Sequence, residues 1–294
     1  VENFKNYIPF INWSQKELRV EKNTHRLLNL LDLAKIDSSL EIRNLPIGAS
    51  SLKATFFILG WVAERFPDLV REIHARGHEI ASHGYNHELC YNCNSETLRH
   101  DLTRSKKLLE DITGEQVHGY RAPSFSINDN ILSIIEECGY IYDSSYNSFG
   151  IHGRYGHLDL SGTEKKGISI KYSDNFFELP VSNIELLIPK YGNKKYILPW
   201  GGGGYFRLIP LCIFKAGVNY ILRKNGVYMF YIHPWEIDSQ QPKVSTASRG
   251  FKFRHYVNLK YCEHKLFNLI NAFKYHRFIT CHQYITEEKS VNGC

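Results

Sequence analysis

The chain reads as an α/β protein organised on a parallel sheet or barrel, on three observations. About seven short runs rich in β-branched and aromatic residues are mostly separated by stretches of helical periodicity, the alternation that parallel sheets require. Titratable residues gather where those runs end, the edge at which α/β proteins place their chemistry. The 294 residues, 43% hydrophobic and 22% charged, suffice for one large barrel or two ordinary domains.

In order, residues 1–13 are aromatic-rich and read as the tail of a strand entering a loop, and 23–33 carry a Leu-rich helix. A polar stretch, 37–51, precedes the strand-like run 54–59. Val62, Phe66, Leu69, Val70 and Ile73 then predict one amphipathic helix over 60–76. A strand ends in Ser82 and delivers His83 and His87. Ser95 is placed to cap a helix that ends near Gly114. Strand-like 117–120 leads into Arg121-Ala122-Pro123, helix 129–138 closes at Gly139, and 140–142 ends in Asp143. Residues 147–174 read as loop, 176–181 as strand, 208–223 as a long apolar helix and 227–232 as a strong strand delivering His233-Pro234-Trp235-Glu236. The tail, 238–294, is a basic, aromatic loop followed by a helix around 262–273.

Net charge is +6 without a dense Lys/Arg block, which argues against nucleic acid as a partner. Seven Cys without disulfide-like spacing favour a reducing compartment; with no visible signal peptide, the expected location is cytoplasmic. No run of 18 apolar residues occurs, so no membrane span is expected. Cys90 and Cys93 form a CxxC, a weak redox or metal signal on its own.

Glu2, His83, His87, Arg121, Asp143 and His233 all fall at strand ends. His83 and His87, four apart, would share a face of a helical or turn-like segment and form a two-imidazole metal pair. Imidazole suits Zn, and also Co, Ni or Fe; a catalytic site needs a third ligand, most economically a carboxylate. Arg121 would orient a carboxylate, the alternative being a solvated strand end, and His233 is either an acid–base group or a core histidine. The glycines at 201–204 lack the flanking residues of a phosphate loop and read as a backbone wall; no GxSxG occurs.

The segments KATFFILGWVAERFPDLV, GHEIASHGYNHE, GYRAPSFSI, YDSS and FYIHPWEID, in this order, resemble the polysaccharide deacetylase family (NodB-like, carbohydrate esterase family four). The likeness is greatest to exosortase-associated exopolysaccharide deacetylases, whose C-terminal extension resembles 202–208 and 253–259 here. The resemblance implies a deformed (β/α)7 barrel over residues 1–237 with an extension, 238–294, packed on it. It implies one divalent cation, zinc foremost, on Glu2, His83 and His87, and N-acetyl hydrolysis on a polysaccharide or oligosaccharide. Arg121 matches the arginine that orients the base, His233 the general acid, and Asp143 an acidic residue near that acid. In the first motif, Glu2 takes the ligand position, Asn3 replaces an Asp, and the base would precede Val1. Without an Asp there, the expectation is near-inactivity, or a carbohydrate-binding pseudoenzyme.

For such an enzyme, backbone N–H groups near Tyr85 or Ser124 would hold the oxyanion, with Pro123 beside them. Trp61, Trp200 and Trp235 would offer sugar-stacking faces or else pack internally. Peptidoglycan or a small cyclic amide is the alternative substrate, and a homo-oligomer is compatible with the sequence.

Overall fold

A computed structural model of the chain describes residues 7–34, 52–150, 155–188 and 194–292. Glu2 and the stretch 37–51 therefore lie outside the described residues. Helix α1 (Val20–Leu33) precedes the first strand. The α/β portion then runs β1 (Thr55–Ile58), α2 (Gly60–Arg65), α3 (Pro67–Ala75), β2 (Glu79–Ser82), α4 (Ser95–Thr113), β3 (Gly119–Tyr120), α5 (Asp129–Glu137) and β4 (Tyr142–Asp143). A hairpin of β5 (Glu164–Lys166) and β6 (Ser169–Lys171) leads to β7 (Phe177–Glu178). The sheet order is β1-β2-β3-β4-β7-β6-β5, with β1 to β4 and β7 parallel and the hairpin antiparallel at the edge. Barrel closure is not part of the ladder among the described residues.

Beyond the sheet lie a separate hairpin, β8 (Asn183–Ile188) with β9 (Lys194–Pro199), and helices α6 (Gly203–Leu208), α7 (Leu211–Asn225), α8 (Arg249–Tyr256), α9 (Leu259–Ala272) and α10 (Cys281–Asn292). One core lies around α2 to α5 against β1 to β3; a second gathers α1, α6, α7 and α9; a third joins β4, β7 and α10.

Three expectations change. The helix over 60–76 is two helices, because Pro67 supplies no N–H and holds Phe66 outside helical geometry at φ −130, ψ 57; Pro67 instead starts α3. The expected strand over 227–232 is extended chain with a single bridge, Tyr231 to Gly202. Its Met229 N–H goes to the Ser182 hydroxyl rather than to a backbone carbonyl, and this interrupts the ladder. The loop reading of 147–174 also missed the β5–β6 hairpin, which is turned at Gly167 (φ 56).

Candidate active site

His83 follows β2, and the stretch 83–89 is neither helix nor strand, so helical spacing is not what brings the two imidazoles together. A turn does it. Gly84 sits at φ +73, and His87 itself adopts φ 61. The turn is pinned on both sides: the Gly84 and Tyr85 carbonyls accept from Gly60 N–H and Trp61 N–H at the start of α2, each at 2.9 Å. The Tyr85 N–H donates to Asp101 of α4 at 3.2 Å. The result places the His83 and His87 ring centroids 5.1 Å apart at 76°.

His83 Nδ1 lies 2.6 Å from the Arg121 carbonyl. A carbonyl only accepts, so Nδ1 carries the proton and Nε2 keeps its lone pair, the arrangement that orients metal-bound histidines. Burial pushes His83 down to about 4 and His87 well below its ordinary value, so both rings are neutral at neutral pH. This chemistry fits two imidazole ligands of a divalent cation. Among the described residues no third acidic, histidine or cysteine side chain completes the set, and Glu2 lies outside them. The CxxC contributes no thiolate from Cys90, since burial pushes that thiol up to about 12.

His233 faces the pair from the end of the extended 227–232 segment, and its charge is felt by both His83 and His87. Its side chain is 50% exposed. Nδ1 meets Glu236 Oε1 at 2.9 Å, and the His233 N–H reaches the same oxygen at 3.2 Å. Glu236 is buried and receives Arg207 Nε on its other oxygen at 2.9 Å. Burial alone would raise Glu236; the His233 hydrogen bond and the charges of His233 and Arg207 outweigh it and hold the carboxyl below its ordinary value. Arg207 NH1 in turn donates to the carbonyls of His255 and Val257 at 2.7 and 2.8 Å. Gly203 makes room: a methyl there would run into both Glu236 oxygens. The glycine stretch is thus a wall that lets backbone approach a buried carboxylate.

Arg121 is buried, donating to the Ser144 carbonyl at 2.7 Å and hydroxyl at 2.6 Å, with its guanidinium 4.2 Å over Phe57 and 5.7 Å from the Tyr231 ring. Among the described residues it pairs with no carboxylate. After Arg121 the backbone turns left-handed at Ser124 (φ 53) and Phe125 (φ 59). Each such non-glycine residue costs about 1–3 kcal/mol, a strain that collects at functional sites. The Ser124 N–H donates to no acceptor among the described residues.

These elements meet a sequence match. The polysaccharide deacetylase family profile fits residues 48–142. Over that stretch the chain is similar to the polysaccharide deacetylase family. Residues 144–284 fit a domain of unknown function, DUF3473. Curated relatives include the peptidoglycan deacetylase-like protein FGM2 of Gibberella zeae, 38% identical over 32% of this chain and 28% of that protein. A peptidoglycan-N-acetylglucosamine deacetylase of Bacillus cereus is 36% identical over 30% of this chain and 41% of its own length. The chitooligosaccharide deacetylase of Azorhizobium caulinodans is 30% identical over 30% and 43%. The chain therefore spans less than half the length of these relatives. A crystal structure of a polysaccharide deacetylase from Mycobacterium smegmatis, 21% identical, superposes with a TM-score of 0.55 over 92% of this chain and 78% of that one, which supports the α/β fold.

Within the candidate site several expected roles shift. Asp143 lies at the end of β4, fully buried, and accepts from the Ser145 N–H and hydroxyl at 2.9 and 2.8 Å. Its carboxyl partner is Glu178, opposite it in the β4–β7 register; Glu236 rather than Asp143 holds His233. The Tyr85 N–H is taken by Asp101, its hydroxyl by Glu64 at 2.7 Å, and its ring by Arg104 at 3.6 Å, so it clamps the loop and offers no oxyanion donor. Pro123 is buried and shapes backbone. Trp200 is a core residue: its indole N–H donates to the Phe214 carbonyl at 2.9 Å and its ring stacks on Phe214. Trp61 is likewise buried, against Trp13 and Arg65. Trp235 stays half-exposed at the site, stacked on His233 at 5.6 Å and on His255 at 4.1 Å.

Sequence reasoning passed over Glu236, Arg207, Glu178 and Asp101. Only Glu236 had a readable signal, a carboxylate three residues after a histidine with Pro between them. Glu178 is driven well above its ordinary value by burial and then by the Asp143 charge, so it keeps its proton to higher pH in the folded chain. The folded state holds a proton that the unfolded chain releases at lower pH. That stability is complete below the ordinary carboxylate range and is lost as pH rises through the raised value. Glu178→Gln, which keeps a donor towards Asp143, is expected to flatten the fall in melting temperature as pH rises above the ordinary carboxylate range; an unaltered slope would place the retained proton elsewhere.

Proposed function

We propose that this chain removes N-acetyl groups from a polysaccharide, with a hexosamine of an exopolysaccharide as substrate and zinc as cation. The observation that carries the reading is the meeting of two neutral imidazoles, His83 locked by a carbonyl and His87 beside it, with a half-exposed histidine anchored on a buried carboxylate. His83 and His87 would hold the cation, with Glu2 as the third ligand implied by the family resemblance. Bound there, a divalent cation supplies Lewis acidity toward the acetyl carbonyl and makes water more acidic. The chain's own residues do the rest. The Ser124 N–H is placed to meet the developing oxyanion. With Nδ1–H held by Glu236, His233 turns Nε2 toward the cleft and gives its proton to the leaving amine. Arg121, fixed by Ser144, would orient the base that takes the proton of water, which the family resemblance puts before Val1.

Peptidoglycan is the second reading, favoured by the names of the curated relatives. Acetate release from N-acetylglucosamine oligomers, peptidoglycan fragments and a cyclic amide, compared at equal metal loading, separates the substrates; release from none of them by a chain carrying an Asp ahead of Val1 refutes deacetylation. His83→Ala is expected to weaken metal retention at least about 100-fold, since even outer-shell partners of a ligand are worth about 10–100-fold. Undiminished metal content by mass spectrometry would remove His83 from the ligand set.

A further inference from the structure

We propose a distal subsite for an acidic sugar unit in the groove between α8 and the loop before it, which makes the polymer an anionic, carboxylate-bearing glycan. The inference rests on the deacetylase reading for its polymer and adds the polymer's charge. Between residues 239 and 278 stand eight Lys and Arg against one Glu, in a chain whose net charge is +6, so the excess positive charge resides in this segment. The one Glu, Glu263, is already held by Arg26. Lys265 spends its ammonium on the Phe206 and Ile209 carbonyls, and Arg277 pairs with Glu287. Lys243 and Lys252 are different: among the described residues neither has a carboxylate partner.

Both lysines line a groove of about 530 Å³ with Val244, Ser245, Phe253 and Tyr256. That volume lies in the range of small-ligand sites, about 300–1,000 Å³. Lys243 is exposed, and Lys252 is steadied by the Ser245 carbonyl at 2.6 Å, with donors left over. Phe253 is 64% exposed, an apolar face beside two cations. The Tyr256 hydroxyl holds the groove's rim through the Val244 N–H at 2.9 Å. A line of rings connects the groove to the acid: His233 to Trp235 at 5.6 Å, Trp235 to His255 at 4.1 Å, and His255 to Tyr256 at 4.7 Å. A glycan chain whose acetamide lies at His233 can follow these rings to the lysines. Carboxylate between two cations beside an aromatic face is the complement this groove offers.

The test uses the full chain carrying His233→Ala, which arrests turnover, and two hexasaccharides of equal length: one of N-acetylglucosamine only, the other alternating glucuronate with N-acetylglucosamine. Calorimetry at low salt is expected to give the acidic hexamer about tenfold tighter binding, as two exposed charge pairs allow. That advantage should vanish as salt shortens the Debye length from about 10 Å toward 3 Å. K243E/K252E removes the advantage and leaves affinity for the neutral hexamer unchanged. K243Q/K252Q, which keeps side-chain volume, must lose it as well. Equal affinity for the two hexamers overturns the proposal, as does an advantage that survives both double variants, or a single-stranded oligonucleotide that outcompetes the acidic hexamer. Because binding is read without turnover, lysine-dependent binding with no acetate release by the chain that keeps His233 and carries an Asp ahead of Val1 would sink the deacetylase reading and leave this subsite standing.

Discussion

His233→Ala lowers acetate release by about 10²–10⁴-fold, the usual worth of a positioned general acid, with metal content unchanged. The size of the loss follows from the leaving group: an amine departs poorly unless protonated as the bond breaks. His233 is suited to that task by its surroundings. Nδ1 is bound to Glu236, so the ring's free nitrogen is the one that meets the cleft, and half of the side chain is in contact with solvent. His83 and His87 are half-buried and neutral, which suits ligands and not proton donors. A metal assay beside the kinetics separates the roles. Loss of both metal and turnover in His233→Ala would make it a ligand; undiminished turnover would remove the acid role.

Arg207→Met is expected to destabilise the fold by about 3–5 kcal/mol, the cost of leaving one member of a buried ion pair uncompensated. Arg207 and Glu236 both have side chains only 2% exposed. Without the guanidinium, Glu236 remains as a buried anion with a single half-exposed histidine for company. The carbonyls of His255 and Val257 lose their donor in the same step, so the segment around α8 loosens from α6. Replacing both partners with apolar residues, Arg207→Met with Glu236→Leu, should recover much of the stability but not the activity, because His233 then has no carboxylate. Urea unfolding of the single and double variants tests this. A wild-type midpoint for Arg207→Met would show that the ion pair contributes nothing to the fold.

What could be read without coordinates was the placement of chemistry by chain pattern. The alternation of strand-like and helical runs, and the arrival of His83, His87, Arg121 and His233 at the ends of those runs, are properties of local periodicity, and local periodicity is written in neighbouring residues. The caps were less legible: Asn94 and Asn128 cap α4 and α5, and Ser95, the cap expected from the sequence, is the first residue of α4.

Partnership across long separations was decided only by the tertiary structure. Arg207 reaches Glu236 across 29 positions, and Asp143 reaches Glu178 across 35; no periodicity links such pairs. Had Asp143 been compared with Glu236 by distance to His233, the assignment would have been immediate, but the sequence carries no distances. The tryptophans make the same point. Trp200 and Trp235 each sit among aromatic and apolar neighbours, yet one spends its N–H on Phe214 inside a core while the other lies open against two histidines. Burial is a property of what packs from elsewhere in the chain. The sequence therefore determined which residues could do chemistry here and at which strand ends. Packing determined which carboxylate, arginine and aromatic ring serve them, because desolvation and hydrogen-bond satisfaction depend on neighbours that only the folded chain brings together.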